Sequence, residues 1–414
     1  MSQGLRSSVQ NTSARRTPAR RFSYFIYTLL LVEFLDEFVY GAREAAWPLV
    51  RDDLRLSYAQ IGLALAAPGI VGIIIETFLG VLGDVWNRRA LVLGGGLFFA
   101  AGTLLVASSD SFTLLLVALC VLSPASGAFV GLSQAALMDA EPARREQNMA
   151  RWAFSGSLGN VAGPLALGAA VALGWGWRGL FLCLAALTLV VVVAAWRLPF
   201  PVPTAGVDDD DAVRHGLRAG LRDALRALRR REVVRWLLLL EFGDFTWDVL
   251  RGFLALYFVD VVGVSLSEAA FAVFVWTLVG LPGDFLIIPL LERVRGLSYL
   301  RVSTACVIVL FPAFMLAPGM TAKLFALGLL GLANAGWYSI LKAQLYKEME
   351  GRSGAVMTLQ NVSGIISSTA PLALGAFAQR YGLEAMMWLL LVGPLVLLAG
   401  LLTTRDDAGP APSS

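Results

Sequence analysis

The sequence predicts an all-α integral membrane protein in which twelve transmembrane helices form two six-helix bundles related by pseudo-symmetry. Three observations carry this. Of the 414 residues, 57% are hydrophobic and only 15% charged, whereas soluble chains hold about a quarter charged residues. Apolar runs near the roughly 20 residues needed to cross about 30 Å of hydrocarbon recur along the whole length. The chain also repeats itself at an offset of 208 residues. Glu33 falls on Glu241, Asp36 on Asp244, Arg43 on Arg251, Asp52 on Asp260 and Ser57 on Ser265. Gly72 falls on Gly280, Glu76 on Asp284 and Asp84 on Glu292; at 207, Arg145 falls on Arg352 and the string PLALG at 164–168 recurs at 371–375.

Taken in order, residues 1–21 form a basic tail with Arg6, Arg15, Arg16, Arg20 and Arg21, expected to be disordered against an anionic cytoplasmic leaflet. The run behind it is interrupted by Glu33, Asp36 and Glu37 and has no small-residue cleavage site, so it is expected to be a retained helix and not a signal peptide. Gly, Pro and charge then delimit spans at 22–45, 57–83, 89–108, 112–139, 149–173 and 178–197 in an N-terminal bundle of residues 22–197. A C-terminal bundle of residues 233–403 holds spans at 233–259, 267–292, 298–317, 321–347, 354–379 and 383–403. The linker at 198–232 has Arg214, Arg218, Arg222 and Arg226 at steps of four beside Leu217, Leu221, Leu225 and Leu228, the pattern of an amphipathic helix on the membrane surface. Residues 404–414 form a short cytoplasmic tail. Of the 33 Lys and Arg, 26 lie in the tails and in alternate loops on one side and 7 on the other, which predicts a multi-pass protein of the cell's inner (plasma) membrane with both termini cytoplasmic. Both copies begin on the same side after an even number of helices, so they are parallel repeats that pack about an axis along the membrane normal.

Composition excludes several functions. The basic residues sit at loops, as topology requires, so no nucleic-acid partner is expected. The one histidine, His215, lies in the linker, and Cys120, Cys183 and Cys306 lie singly in apolar runs without metal spacing. No nucleophile, base or metal set suggests an enzyme, and neither a metal nor a cofactor is expected. Charge inside the spans is the informative feature. On a helix, Glu33, Asp36, Glu37, Tyr40 and Arg43 share one broad stripe, and Glu241, Asp244, Asp248 and Arg251 share another. Ionised carboxylates facing lipid are costly, so these side chains must face an interior cavity, pair with arginine, or carry a proton. Further cavity candidates are Glu76, Gln134, Trp152, Asn160, Trp247, Asp284, Asn334, Trp337, Tyr338 and Lys342.

The turn after the second span reads Gly80-Val-Leu-Gly-Asp84-Val-Trp-Asn87-Arg88-Arg89, and the fourth span ends in Asp139-Ala-Glu-Pro142-Ala-Arg144-Arg145. The fifth contains Gly159-x-x-x-Gly163-Pro164-x-x-x-Gly168. With two six-helix halves joined by a long basic loop, these segments resemble the major facilitator superfamily of secondary transporters, and its drug exporters in particular. The first departs from the family signature G-x-x-x-D-R-x-G-R-R in lacking the arginine after the aspartate and the second glycine. The likeness implies a monomeric antiporter working by alternating access on a small-molecule substrate, with a cytoplasmic latch of Gly80, Asp84, Arg88, Arg89, Asp139, Arg144 and Arg145 and the copy residues Glu292 and Arg352. It also implies that the first, fourth, seventh and tenth spans line the cavity. Many exporters carry an arginine in the middle of the fourth span, where this chain, aligned on Ser126 and Gly127, has Ser123. Coupling is therefore expected to lean on Glu33, Asp36, Glu241 and Asp244 as proton or substrate-cation sites, with Arg43 and Arg251 as counter-ions. A fixed acid–arginine network clamping the outer rim, above all Arg43, Arg251, Asp52 and Asp260, fits the same residues. The leading expectation is proton-coupled export of a small amphipathic or cationic compound; proton- or cation-coupled uptake, or divalent metal efflux, are the alternatives.

Overall fold

A computed structural model describes residues 16–85, 87–140, 145–198, 226–348, 359, 363–364 and 367–404. The first half contains α1 (Arg16–Leu54), α2 (Tyr58–Val85), α3 (Arg88–Ala107), α4 (Phe112–Ser126), α5 (Leu132–Ala140), α6 (Arg145–Ala172) and α7 (Gly176–Trp196). The second contains α8 (Arg231–Tyr257), α9 (Leu266–Arg293), α10 (Gly296–Leu316), α11 (Gly319–Ala333), α12 (Trp337–Glu348), α13 (Ala370–Tyr381), α14 (Leu383–Leu389) and α15 (Val392–Leu402). These helices make the twelve spans, because three spans are each built from two pieces. A π-helical turn at Gly127–Gly131 joins α4 to α5 just after Pro124, where proline removes a backbone donor from the ladder. Gly336, at φ 74°, separates α11 from α12. Pro394 cannot donate to the Leu390 carbonyl, and α14 gives way to α15 there.

The first helix differs from expectation at both ends. It begins at Arg16, inside the segment expected to be a disordered tail, and continues to Leu54, well past 45. The extension is held because Ala46, Trp47 and Val50 are buried. Residues 1–15, the linker helix as far as residue 225 with His215, and Arg144, Arg352 and Arg405 lie outside the described residues.

The internal repeat reappears in the helix starts. Ser57 and Gln60 cap α2, with Gln60 Oε1 accepting from the Ser57 N–H at 2.9 Å and Ser57 Oγ accepting from the Gln60 N–H at 3.2 Å. Ser265 and Glu268, 208 residues on, form the same capping box on α9, Glu268 Oε2 accepting from the Ser265 N–H at 2.9 Å.

Small residues set the helix spacing. A Cβ on Gly159 of α6 would overlap the Phe34 carbonyl of α1, one on Gly163 would overlap the Ala42 backbone, and one on Gly41 would sit 2.6 Å from the Asn160 carbonyl oxygen. The α1 and α6 backbones are thus in direct contact, as small residues allow in membrane bundles. Between the halves α2 packs on α13, where Gly62 meets the Pro371 carbonyl and Gly375 the Tyr58 carbonyl. On the other flank α6 packs on α9, with Phe154 and Phe285 ring centroids 6.0 Å apart. By length and composition alone, eight of the described segments qualify as membrane spans. α1 and α8 fall short because of their charged stripes, and both run along the centre of the bundle.

Gly159 and Gly168 belong to one sequence motif but differ in surroundings, since a Cβ at Gly168 would meet nothing within 4 Å. Gly159→Val should therefore overpack the α1–α6 contact and cost about 1–3 kcal/mol, whereas Gly168→Val should stay within about 0.5 kcal/mol. Thermal unfolding of the two detergent-purified variants checks this, and equal losses would contradict the packing.

Candidate substrate site

The start of α1, the end of α15, the α2–α3 turn and the ends of α5 and α12 mark one end of the bundle, the near end; the α1–α2 and α8–α9 turns mark the far end. Between the halves lies a cavity of about 730 Å³. From α1 it receives Asp36, Val39, Tyr40, Arg43 and Glu44; from α2, Leu65, Pro68, Gly69, Ile73 and Glu76. Ser123 and Ser126 come from α4, Leu240, Glu241, Asp244 and Asp248 from α8, and Tyr338 and Lys342 from α12. Ser367, Ser368 and Pro371 complete it. Six carboxylates thus face two cationic side chains.

Polar partners hold some of these acids. Ser126 Oγ donates to Asp36 Oδ1 at 2.8 Å, and Ser367 Oγ donates to Glu241 Oε2. Asn160 Nδ2, on α6, donates to Glu37 Oε2 at 2.8 Å. Asn160 and Ser367 occupy equivalent places in the two copies, each four residues before PLALG, and each gives a hydrogen bond to an acid of the central helix in its own half. Asp244 and Asp248 have no hydrogen-bonding partner among the described residues and face the cavity. Lys342 Nζ donates to the Tyr338 hydroxyl at 2.7 Å.

The stripes are brought to the centre, but their members divide. Glu33 is buried against α6, where a Cβ on Gly156 would sit 2.6 Å from its Oε1, and Glu37 also turns toward α6 through Asn160. Neither is among the lining residues of the large cavity. The reason is the direct α1–α6 contact, which rotates these two positions off the axis and leaves Asp36, Tyr40, Arg43 and Glu44 on it. The Arg43 guanidinium, expected as counter-ion to the deeper acids, has its close ion pair with Glu44 at 3.4 Å and lies 4.5 Å from the Tyr40 ring centroid. The Arg251 guanidinium carbon lies 5.8 Å from the centroid of the same ring and 5.7 Å from that of Trp276.

Other candidates also separate. Glu76, Tyr338 and Lys342 line the cavity, and Asn334 lines a smaller one with Arg251 and Asn160. Trp247 and Trp337 are buried and pack edge to face at 5.7 Å, with Trp337 Nε1 donating to Ser303 at 2.8 Å, so both are packing residues of the second half. Trp152 is buried beside Glu33. Gln134 Nε2 approaches the Met149 sulfur at 3.6 Å and stands outside the large cavity's lining. Asp139 pairs with Arg88 at 2.6 Å, and Arg89 donates to the Trp196 carbonyl, which ties the α2–α3 turn to the near ends of α5 and α7. Gly80, Asp84, Arg145, Asp284 and Glu292 lie within described helices.

At the far end the halves are joined through Asp260, which the sequence singled out, and through Arg51, Tyr58 and Gln379, which it did not. Arg51 bridges Asp52, at 2.7 Å, and Asp260, while the Tyr58 hydroxyl donates to Asp260 at 2.6 Å and the Tyr58 N–H donates to Gln379 at 3.0 Å. The repeat flagged the acids Asp52 and Asp260, but Arg51 has no counterpart in the second copy and carried no signal. Glu44 was missed for the same reason, its equivalent being Gly252. The cavity serines were missed because isolated serines in apolar helices are common. Among the described residues no group of three or more His, Cys, Asp or Glu is placed to hold a metal ion.

Comparisons with known proteins agree with this architecture. A mutant of the nucleoside transporter NupG superposes with a TM-score of 0.77 at 14% identity, covering 91% of this chain and 99% of that one. A bacterial homologue of the human lysosomal transporter Spinster, in an inward-facing and occupied conformation, gives 0.70 at 18% identity over 92% and 94%. A short segment of 100 residues is 31% identical to MFS transporter L2 of Phoma sp. (strain ATCC 20986 / MF5453), spanning 23% of this chain and 16% of that relative. The family model of the Major Facilitator Superfamily matches residues 29–369, so the chain belongs to that superfamily of secondary transporters.

Proposed function

We propose that the chain exports a small cationic or amphipathic compound in exchange for protons. The observation that carries this is the charge balance of the central cavity, six carboxylates against Arg43 and Lys342. An acid cluster in a site that must close to water is tolerable only when a cation or a proton neutralises it. Asp244 and Asp248 are the groups best placed for that exchange, since they face the cavity and no described residue hydrogen-bonds to them. Asp36 and Glu241, each held by a serine hydroxyl, would set the geometry of the bound cation. The partial antiporter pattern in α6 supports export, with the same glycines packing α6 onto α1.

The arrangement fits one stage of alternating access. The Arg51, Tyr58, Asp260 and Gln379 contacts join the halves at the far end, while the described near-end pairs, Arg88 with Asp139 and Arg230 with Glu348, stay within one half. With both termini cytoplasmic, this is an inward-facing state. Likeness to the inward-facing Spinster homologue supports that reading.

A second reading rests on the hydroxyl groups. Ser123, Ser126, Ser367 and Ser368 beside hydrogen-bond-accepting carboxylates would also suit an uncharged polyhydroxylated solute, and the fold likeness to a nucleoside transporter points the same way.

Proteoliposomes under an imposed pH gradient separate the readings, with ethidium as the cationic probe and uridine as the hydroxylated one. Gradient-driven ethidium movement is expected in the wild type. It should fall about tenfold in Asp244→Asn, equivalent to about 1.4 kcal/mol of lost interaction, while Glu33→Gln, buried against α6, should change it less than about threefold. Uridine movement without ethidium movement would replace the first reading by the second, and full activity of Asp244→Asn would remove that residue from coupling.

The far-end contacts predict a separate outcome. Asp260→Asn should weaken the closure by about 1 kcal/mol and raise the open population about fivefold. A cysteine placed at Gly69, facing Ser368 across the halves, reports it through its labelling rate by a membrane-impermeant thiol reagent added from the far side. An unchanged rate would show that closure does not depend on Asp260.

A further inference from the structure

Beside the large cavity lies a smaller one of about 140 Å³ where α6 of the first half meets α9 and α11 of the second. Its wall includes Ser157, Asn160, Arg251, Trp276, Thr277 and Asn334. The arginine is the unusual member. Its repeat mate, Arg43, is paired with Glu44, but the residue corresponding to Glu44 is Gly252, packed against Leu65 of α2. The duplication has kept the cation in the second copy and not its neighbouring acid. Consistent with that, Arg251 has no carboxylate within 4 Å among the described residues, and its buried Nε, like that of Arg43, has no acceptor. Glu37, Glu44 and Asp248 lie in its wider surroundings and contribute a long-range field; Glu37 is engaged by Asn160.

The guanidinium carbon lies 5.8 Å from the Tyr40 ring centroid and 5.7 Å from that of Trp276. Cation–π contact attracts the charge but supplies no lone pair for the N–H groups, which still call for an acceptor. A two-oxygen anion is such an acceptor, received by arginine through paired, charge-assisted hydrogen bonds. A cavity of about 140 Å³ has room for a carboxylate or phosphate group. Amide and hydroxyl groups of Asn334, Thr277 and Ser157 supply further polar contacts around such a group.

We propose that this cavity is a subsite for a compact oxyanionic group, a carboxylate or a phosphate, received by Arg251. A solute bound there and in the acidic cavity at once would carry both charges, and Tyr40, which touches both arginines, lies between the two sites. The subsite is separable from the proposal of cation export, because its readout is anion binding to the resting protein.

The test uses the full-length protein in detergent, with sodium acetate or sodium phosphate replacing sodium chloride at constant ionic strength, followed by thermal unfolding and titration calorimetry. Saturable stabilisation of the wild type by acetate or phosphate is expected, with apparent affinity reduced at least about tenfold in Arg251→Gln. Gly280→Leu provides a second variant that leaves every charge in place. Gly280 lines the same cavity and a Cβ there meets nothing within 4 Å, so the leucine should fill the space without a clash and block the anion. Arg235→Gln, which alters a guanidinium held by Gly400 and Thr403 at the near end, should retain the response. A response to acetate assigns the subsite to a carboxylate, and one to phosphate alone assigns it to a phosphate or phosphate ester. Absence of saturable stabilisation by either anion, or a response that survives in both Arg251→Gln and Gly280→Leu, overturns the proposal.

Discussion

An ionised side chain cannot be left against hydrocarbon, and in this protein that restriction organises the whole bundle. α1 and α8 carry more charge than any lipid-facing helix could hold, so they must lie inside and the other helices must surround them. The surrounding has to be close, because a loosely packed α1 would admit lipid tails beside Glu33 and Glu37. Gly159 and Gly163 meet the need by letting α6 approach until backbone touches backbone. That contact decides which acids become structural and which face the central cavity. Glu33 and Glu37 are taken up by α6, while Asp36 and Glu44, on neighbouring faces of the same helix, turn to the cavity.

Much of the fold could be read from the sequence because the signals were redundant. The charge distribution over the loops, the spacing of apolar runs and the 208-residue repeat constrain one another, and the paired caps at Ser57 and Ser265 show the repeat persisting in local hydrogen bonding. Helix ends were less legible. Nothing in hydropathy shows that α1 continues past 45, since that extension depends on Trp47 finding a buried place. The candidate site was legible only as a set of residues. Period 3.6 places Glu33, Asp36 and Glu37 on one broad stripe, but a stripe is wide enough to face two neighbours. Which half of it faced a cavity was fixed by α6, through glycines that are silent about direction. Trp247 and Trp337 misled for a related reason: an aromatic in a cavity-lining span has the same sequence signature whether it faces the cavity or the adjacent helix.

The departures from symmetry carry more functional information than the repeat does. Duplication explains why acids and an arginine stand in both central helices, but two identical halves would give two equivalent sites. Here Tyr40 corresponds to Asp248 and Glu44 to Gly252. The first half therefore contributes an aromatic surface and a paired arginine, and the second contributes an extra acid and an arginine in cation–π contact with two aromatic rings. The six cavity carboxylates divide evenly, Asp36, Glu44 and Glu76 from the first half and Glu241, Asp244 and Asp248 from α8, but the arginines do not: Arg43 lines the large cavity and Arg251 the smaller one beside α6 and α9.

The far-end contacts complete this asymmetry. Arg51 of the first half meets Asp260 of the second, and Tyr58 of α2 reinforces the same carboxylate. An ion pair exposed at a membrane surface contributes little to stability, which makes it suited to a closure that must open in every cycle. The tighter glycine contacts along α2 and α13 lie beside it and can persist only while that end is shut. Opening must then separate backbone surfaces as well as charges, so a solute that draws the halves together around Asp244, Asp248 and Arg251 would alter the balance between the two ends. The cavity and the far-end contacts share α1 and α8, because the helices that carry most of the cavity charges also carry Arg51 and lead directly into Asp260.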